Sequence, residues 1–188
     1  MNLTDQTKLT KGSKPNSNLY ISITATILLL IGISYLMLQP KGMHRLANEN
    51  YEVPFPQIQR AKVPAEDSLF YAAMAAFGRT NWKNAISLFN QIEVSHPMHQ
   101  RILYYMAHAF VGLGEYEKAL ALFNNPVLKD GQYVQQTEWN KVLMRMFLKH
   151  PKEEIIIDLA AIANNNEQFY HDQAKQVLKQ LGVKDFQK

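Results

Sequence analysis

The side chains best suited to chemistry in this sequence are its histidines, and two of them are close together. His96 and His99 flank the Pro97 region, and a pair of imidazoles can bind a metal ion. A protein metal site needs three or four ligands, however, and the chain has no cysteine, no H-E-x-x-H motif and no acidic cluster near this pair. We therefore expect the two side chains to belong to a helix–helix connection, and we predict no metal and no cofactor. The other histidines are scattered: His44, His108, His150 and His171.

Motifs for other common chemistries are missing from the sequence. There is no G-x-S-x-G, no P-loop and no G-x-G-x-x-G. Glu153 and Glu154 open a predicted helix, where the positive end of the helix dipole favours carboxylates, so they need no catalytic role. We predict that the protein is not an enzyme. An enzymatic alternative would use His96, His99 or His108 and requires these side chains to converge in one pocket.

Charge and composition exclude two further classes. The formal net charge is only +4, and the basic residues are scattered. A nucleic-acid-binding domain needs them clustered on one face, so we predict no nucleic-acid partner. The lack of cysteine excludes a disulfide framework.

A charge-free window between Lys14 and Lys41 determines the predicted architecture. Its core, residues 19–38, reads LYISITATILLLIGISYLML. A helix of this length spans roughly 30 Å, the thickness of a hydrocarbon core. A buried helix normally carries a polar stripe, and a cleavable signal peptide has a shorter apolar region followed by small residues. Neither description fits, so we predict an uncleaved signal anchor that crosses a lipid bilayer once, over residues 19–38.

The charges beside this segment predict its orientation. Lys8, Lys11 and Lys14 precede it, and Lys41 and Arg45 follow it. Because cytoplasmic flanks carry the excess of positive charge, we predict a cytoplasmic N-terminus. The rest of the chain would then lie outside the cytoplasm, in the periplasm if the cell is bacterial.

Two segments without helical periodicity flank the predicted span. Residues 1–18 are polar, and we predict a disordered tail. Residues 39–64 hold four of the chain's eight prolines. Because proline blocks helix formation and favours extended chain, we predict a semi-rigid linker there. The alternative for its YEVPFP stretch is that it docks elsewhere as an extended peptide.

From residue 65 onward, helix-period patterns alternate with short turns, and residue types recur at a spacing of 34. Trp82 corresponds to Tyr116, one aromatic for another. Shared helical composition alone does not readily produce so many matches at one offset. The identical pairs are Leu69 and Leu103, Tyr71 and Tyr105, Ala73 and Ala107, Ala75 and Ala109, Gly78 and Gly112, Ala85 and Ala119, Leu88 and Leu122, Phe89 and Phe123, and Asn90 and Asn124.

This period and these residues resemble the tetratricopeptide repeat family. The resemblance implies paired helices, in which small residues let the two helices approach closely. The first unit departs from the family pattern at Thr80, where a glycine is usual, and at Ala76, where an aromatic is usual. The matching residues are Ala73, Trp82, Ala85, Phe89 and Pro97 in the first unit, and Ala107, Phe110, Gly114, Tyr116, Ala119 and Phe123 in the second.

A third, less regular unit and a final helix complete the predicted domain. Trp139 and Leu143 indicate the first helix of the third unit, and residues 153–163 its second helix. Residues 167–181 predict an amphipathic helix that covers the last apolar face. The predicted fold is all-α: an N-terminal transmembrane helix, then a short TPR-type α-solenoid over residues 65–186, with about three helix pairs and a C-terminal capping helix.

The resemblance implies that the protein acts by binding another protein. Stacked helix pairs form a concave groove that is lined by the first helix of each pair. For this chain, the resemblance places in that groove Phe70, Tyr71, Met74, Tyr104, Tyr105, His108, Asn140, Lys141 and Met144.

Aromatic and methionine side chains are typical of interaction surfaces. The alternative is that several of these residues, Tyr71 and Tyr105 among them, belong to the core. We predict a membrane-anchored adaptor or assembly factor that recruits a protein partner through the groove. The alternative function is a self-associating scaffold of a membrane or envelope complex.

Overall fold

The computed structural model describes residues 42–56 and 67–183, together with Leu29 and Phe186. Within these residues the chain forms α-helices and no β-strand, which confirms the predicted all-α class for this part of the chain. The eight helices are α1 (Met43–Asn50), α2 (Ser68–Gly78), α3 (Trp82–Phe89), α4 (His99–Gly112), α5 (Tyr116–Phe123), α6 (Val134–Phe147), α7 (Lys152–Ala163) and α8 (His171–Gln180).

The chain divides into two units, Met1–Gln39 and Pro40–Lys188, and all eight helices lie in the second. The predicted tail, residues 1–18, lies outside the described residues. So does the predicted transmembrane segment, residues 19–38, apart from Leu29. Among the residues that are described, no helix combines the length and the apolar character that crossing a bilayer requires.

Helices α2 to α7 form three successive pairs. Helix α2 packs on α3, α4 on α5 and α6 on α7, while α3 contacts α4 and α5 contacts α6. Ala73, Ala85, Ala107 and Ala119 are fully buried, as expected for residues that let paired helices approach closely. Helix α8 packs on α7 and covers it at the C-terminal end.

The first helix of each pair ends in the same tight turn. At the end of α4, the Gly114 amide donates to the carbonyl of Val111, and the next amide donates to the carbonyl of Phe110. This pair of hydrogen bonds requires a residue in the left-handed backbone conformation, and Gly114 has φ 73°. Thr80 and Lys149 occupy the same place after α2 and α6, with φ 57° and 56°. The same turn therefore forms after α2 and α6, although neither has a glycine at this position.

The third pair and the final helix follow the prediction closely. Helix α7 starts directly after Pro151, and Ile155, Leu159 and Ile162 are buried in it. Helix α8 begins four residues later than the predicted 167, at His171. The cause is a turn at Asn165, whose side-chain oxygen accepts a hydrogen bond from the Glu167 amide at 3.1 Å.

The N-terminal side of the domain differs from the prediction. Part of the predicted extended linker, residues 39–64, is helix α1, which packs on α6. The eight residues of this helix, MHRLANEN, contain no proline that would prevent its formation. Leu46 and Ala47 provide its buried side, and both are fully inaccessible to solvent. Residues 51–56 have no regular secondary structure, with Tyr51 in an extended conformation, and residues 57–66 lie outside the described part of the chain.

Candidate functional site: the face shared by α2, α4 and α6

The first helices of the three pairs, α2, α4 and α6, share one side of the domain, which we call the groove face. All nine residues that the resemblance assigned to the groove lie on these helices. Most of them are buried rather than presented to solvent, whereas Tyr71 and Lys141 are half-buried. The buried ones are Phe70, Met74, Tyr104, Tyr105, His108, Asn140 and Met144.

Aromatic contacts tie the groove face together from one end to the other. Phe77 on α2 meets Tyr105 on α4 edge to face, with ring centroids 5.0 Å apart. Tyr104 on α4 stacks on Tyr133, which immediately precedes α6, at 4.3 Å. Such ring pairs add to the stability that burial provides, so they fix the spacing of neighbouring first helices. Tyr104 and Tyr105, two residues of the predicted groove, thus take part in the packing between neighbouring first helices.

Part of the chain itself lies on the groove face and contacts two of these buried residues, Tyr105 and His108. We call residues 51–56, with the sequence YEVPFP, the strap. Its first residue, Tyr51, places its hydroxyl oxygen 2.7 Å from Nδ1 of His108, and the two side chains are hydrogen-bonded. The Tyr51 ring also lies against His108 and Phe147, with centroids 5.7 Å and 6.5 Å away. Tyr51 therefore reaches both α4 and α6.

The far end of the strap reaches the first pair. The Tyr105 hydroxyl donates a hydrogen bond to the backbone carbonyl of Phe55 at 3.3 Å. Pro56 packs on the end of α2 so closely that a Cβ atom added to Gly78 would lie 3.1 Å from its Cγ. The strap thus runs from the third pair to the first.

Helix α1 holds the other end of the strap. The His44 ring meets Phe147 edge to face at 5.0 Å, and Tyr116 stacks on Phe147 at 4.4 Å with the two rings nearly parallel. At the C-terminal end of α1, the Asn50 side chain donates to the carbonyl of Leu46 at 2.8 Å. The strap therefore leaves a helix that is itself fixed on α6.

The contact between the strap and α4 is made by neutral groups. Burial lowers the pKa of His108 from 6.5 to about 3, so its imidazole is uncharged near neutral pH. Burial, and after it the neighbouring Tyr104 and Tyr116, raises the pKa of the Tyr51 hydroxyl. Burial likewise raises the pKa of the Tyr104 hydroxyl. The Tyr51–His108 bond is consequently one between a phenol and a neutral imidazole.

Beside the strap, the groove face keeps an open cleft of about 390 Å³. One wall is the strap with the end of α1, and the opposite wall comes from α4, α6 and α8. On that wall the rings of Trp139 and Tyr170 stack, with centroids 5.2 Å apart and planes almost parallel. The cleft is lined by Glu49, Asn50, Glu52, Val53, Pro54, Phe55, Tyr104, Trp139, Asn140, Tyr170 and Gln173.

The histidines considered for metal binding or catalysis have separate surroundings. His96 pairs with Asp67, with Nε2 and Oδ1 3.1 Å apart, and lies over the ring of Phe70. His99 is the first residue of α4, and His108 contacts Tyr51. Within the described residues, no three His, Asp or Glu side chains are grouped so that they could hold a metal ion.

Sequence reasoning located the helices of this face but not what lies on it. The alternative that the YEVPFP stretch docks as a peptide pointed to this feature, and in the structure the stretch contacts α4. The sequence alone did not indicate where the stretch docks, because its anchors are distant: Tyr51 and His108 are 57 residues apart in the chain. Helix α1 was missed because four prolines dominate the composition of residues 39–64.

Comparison with known proteins gives one positive result. No curated protein and no solved structure matches the chain. A family model described as Tetratricopeptide repeat matches residues 67–97, which cover α2, α3 and the connection to α4. The match covers one helix pair, so this segment is similar to a tetratricopeptide repeat, and the successive helix pairs are consistent with a helical repeat of that type.

Proposed function

We propose that the protein is a protein–protein interaction module that binds an extended segment of a partner protein on its groove face. The observation that carries this proposal is the strap, because the groove face already binds a chain segment without regular secondary structure through side-chain hydrogen bonds and ring contacts. Stacked helical repeats usually act through such surfaces, and the family match favours the same class of function.

The open cleft beside the strap supports the proposal. It offers stacked rings, the amides of Asn140 and Gln173, and apolar strap residues within one concavity. Val53 and Phe55 are exposed large hydrophobic residues, at 49% and 87%. Exposed apolar groups beside an aromatic-lined cleft are characteristic of a surface that another protein covers.

Site-specific photo-crosslinking in cells tests this function. A photoreactive amino acid replaces the exposed Gln173, which lines the cleft, in the full-length protein. As a matched control it replaces Ile157, which is exposed on α7 and does not line the cleft. We expect a discrete crosslinked partner from position 173 and none from position 157. Equal crosslinking at the two positions, or none at position 173, would contradict the proposal.

We further infer that this module is an adaptor or assembly factor held at a membrane by residues 19–38. The support is the charge-free window of the sequence and its flanking lysines. A reporter enzyme that is active only outside the cytoplasm, fused after Lys188, tests the predicted orientation. We expect activity, and a silent but intact fusion would place the repeats in the cytoplasm.

A further inference from the structure

We propose that the strap occupies the place of the true ligand, and that the partner segment is of the same chemical type: a tyrosine followed by an extended, proline-containing apolar run. In this proposal the partner segment displaces the strap from the groove face. The inference rests on the proposed function and specifies its ligand.

The polar groups of the groove face select this type of ligand. Tyr105 donates to a backbone carbonyl, which any residue supplies. This contact therefore positions the bound segment but does not select its sequence. His108 instead bonds the hydroxyl of a tyrosine side chain in a site where the imidazole is 1% exposed. A phenylalanine there would leave a buried nitrogen without this bond, and buried polar groups left unpaired are unfavourable. The site therefore discriminates tyrosine from phenylalanine.

The prolines suit the same site. Proline pre-sets an extended backbone and reduces the conformational freedom lost on binding. Neither Pro54 nor Pro56 has an amide hydrogen that would need a partner on the face. At the end of α2, the lack of a side chain on Gly78 lets the Pro56 ring approach closely. A proline at this last position is thus matched by the surface that receives it.

The strap itself holds the face by only a few groups. Its named contacts are the Tyr51 side chain, one carbonyl and the Pro56 ring, whereas the Phe55 and Val53 side chains are exposed. The strap is favoured because it is covalently attached to the domain, which keeps its effective concentration at the groove face high. A partner segment that makes the same contacts and also fills the adjacent cleft can therefore replace it.

The test is binding of a fluorescein-labelled peptide with the strap sequence, YEVPFP, to the detergent-solubilised full-length protein. In the wild type the tethered strap competes with the peptide. We expect the variant Tyr51→Ala, whose strap has lost its aromatic anchor, to bind the peptide about tenfold more tightly than the wild type. Pro56→Ala serves as a second variant, weakened at the other end of the strap. In the peptide, tyrosine replaced by phenylalanine should weaken binding about fivefold to tenfold.

The matched control is Val94→Ala, which removes an exposed apolar side chain far from the strap in sequence and should bind like the wild type. The inference is overturned if both strap variants melt cooperatively yet bind the peptide no better than the wild type. It is also overturned if light scattering shows that they form dimers that exclude the peptide, since the occupant would then be the strap of a second copy.

The two proposals fail in different ways. If position 173 crosslinks to a partner but the protein does not bind the peptide, the proposed function stands and this inference is wrong. If position 173 captures nothing, the proposed function itself is wrong.

Discussion

His108 is a histidine whose surroundings keep it neutral. Its ring lies between Tyr51, Tyr104 and Phe123, with centroids 5.7, 4.6 and 5.2 Å away. An imidazole in such a site resists protonation, because the charged form would lose its hydration without gaining a counter-charge. The stability of the folded chain should therefore depend on pH through this one residue.

We expect His108 to destabilise the fold as the pH falls. Its pKa is about 3 in the folded chain against 6.5 normally, so below pH 6.5 the unfolded chain takes up a proton that the folded chain does not. The free energy of unfolding should decrease by about 1.4 kcal/mol for each pH unit below 6.5 through this group. Urea unfolding at neutral pH and at about pH 5, compared between the wild type and His108→Gln, measures it. Identical pH dependence in the two proteins would contradict the assignment.

A second residue under constraint is Thr80, a β-branched residue at φ 57°. Left-handed backbone is unfavourable for such a side chain, and the equivalent turn after α4 has Gly114. We expect Thr80→Gly to stabilise the protein by about 1 kcal/mol. Gly114→Ala should have the opposite effect of similar size, since the space around it is open and only the backbone resists. Denaturant midpoints of both variants provide the measurement, and a destabilised Thr80→Gly would count against this explanation.

At the scale of elements, helix α1 is the least expected part of the fold. Its buried residues are two neighbours, Leu46 and Ala47, too short a pattern to give a clear helical period. The third pair and the final helix, in contrast, repeat apolar residues over two or three turns, and their presence was predicted, although α8 begins four residues later than expected. An element of eight residues depends on its packing partner, here α6, and that partner is not visible in the local sequence.

We expect the docking of α1 to contribute measurably to stability. Leu46→Ala removes a fully buried side chain between α1 and α6 and should lower the free energy of unfolding by about 2–5 kcal/mol. Val53→Ala, at a half-exposed strap position, should change it by less than about 0.5 kcal/mol. Chemical denaturation of the full-length protein compares them. Equal, small effects would mean that α1 is only a spacer, as the proline content first suggested.

For the whole molecule, the strap changes how the repeats are coupled. In a simple solenoid each repeat contacts only its neighbours, so stability is nearly a sum of local terms. Here the segment from α1 to Pro56 contacts α6, α4 and the end of α2 in turn. The first and third pairs are thereby linked directly.

Loosening the strap should therefore uncouple the two ends of the domain. We expect Tyr51→Ala to increase amide hydrogen exchange in α2 and α3 while α7 and α8 keep their protection. Hydrogen-exchange mass spectrometry on the wild type and the variant provides the comparison, with Val94→Ala as the control. A uniform increase over all helices would show that the strap adds stability without linking the ends.

The repeated helix pairs could be predicted from the sequence, whereas the strap, which is not part of the repeat, could not be placed. Residues spaced by 34 predicted the first two helix pairs, and Gly114, one of the residues that match the family pattern, lies in the turn that ends α4. Assignment of the groove residues depended on solvent exposure, and periodicity cannot reveal that another segment covers a face. Tyr104 and His108 are buried in part because Tyr51 lies beside them, a contact between residues far apart in the chain.

The path of the strap also determines how far the repeats can travel. When the strap is docked, residues 43–56 pack on the helices of the domain. Released and extended, they lengthen the tether ahead of the repeats by as much as about 40 Å. If a partner that displaces the strap also frees α1 from α6, occupancy of the groove and reach of the domain change together, so that the loaded protein searches a larger volume than the empty one.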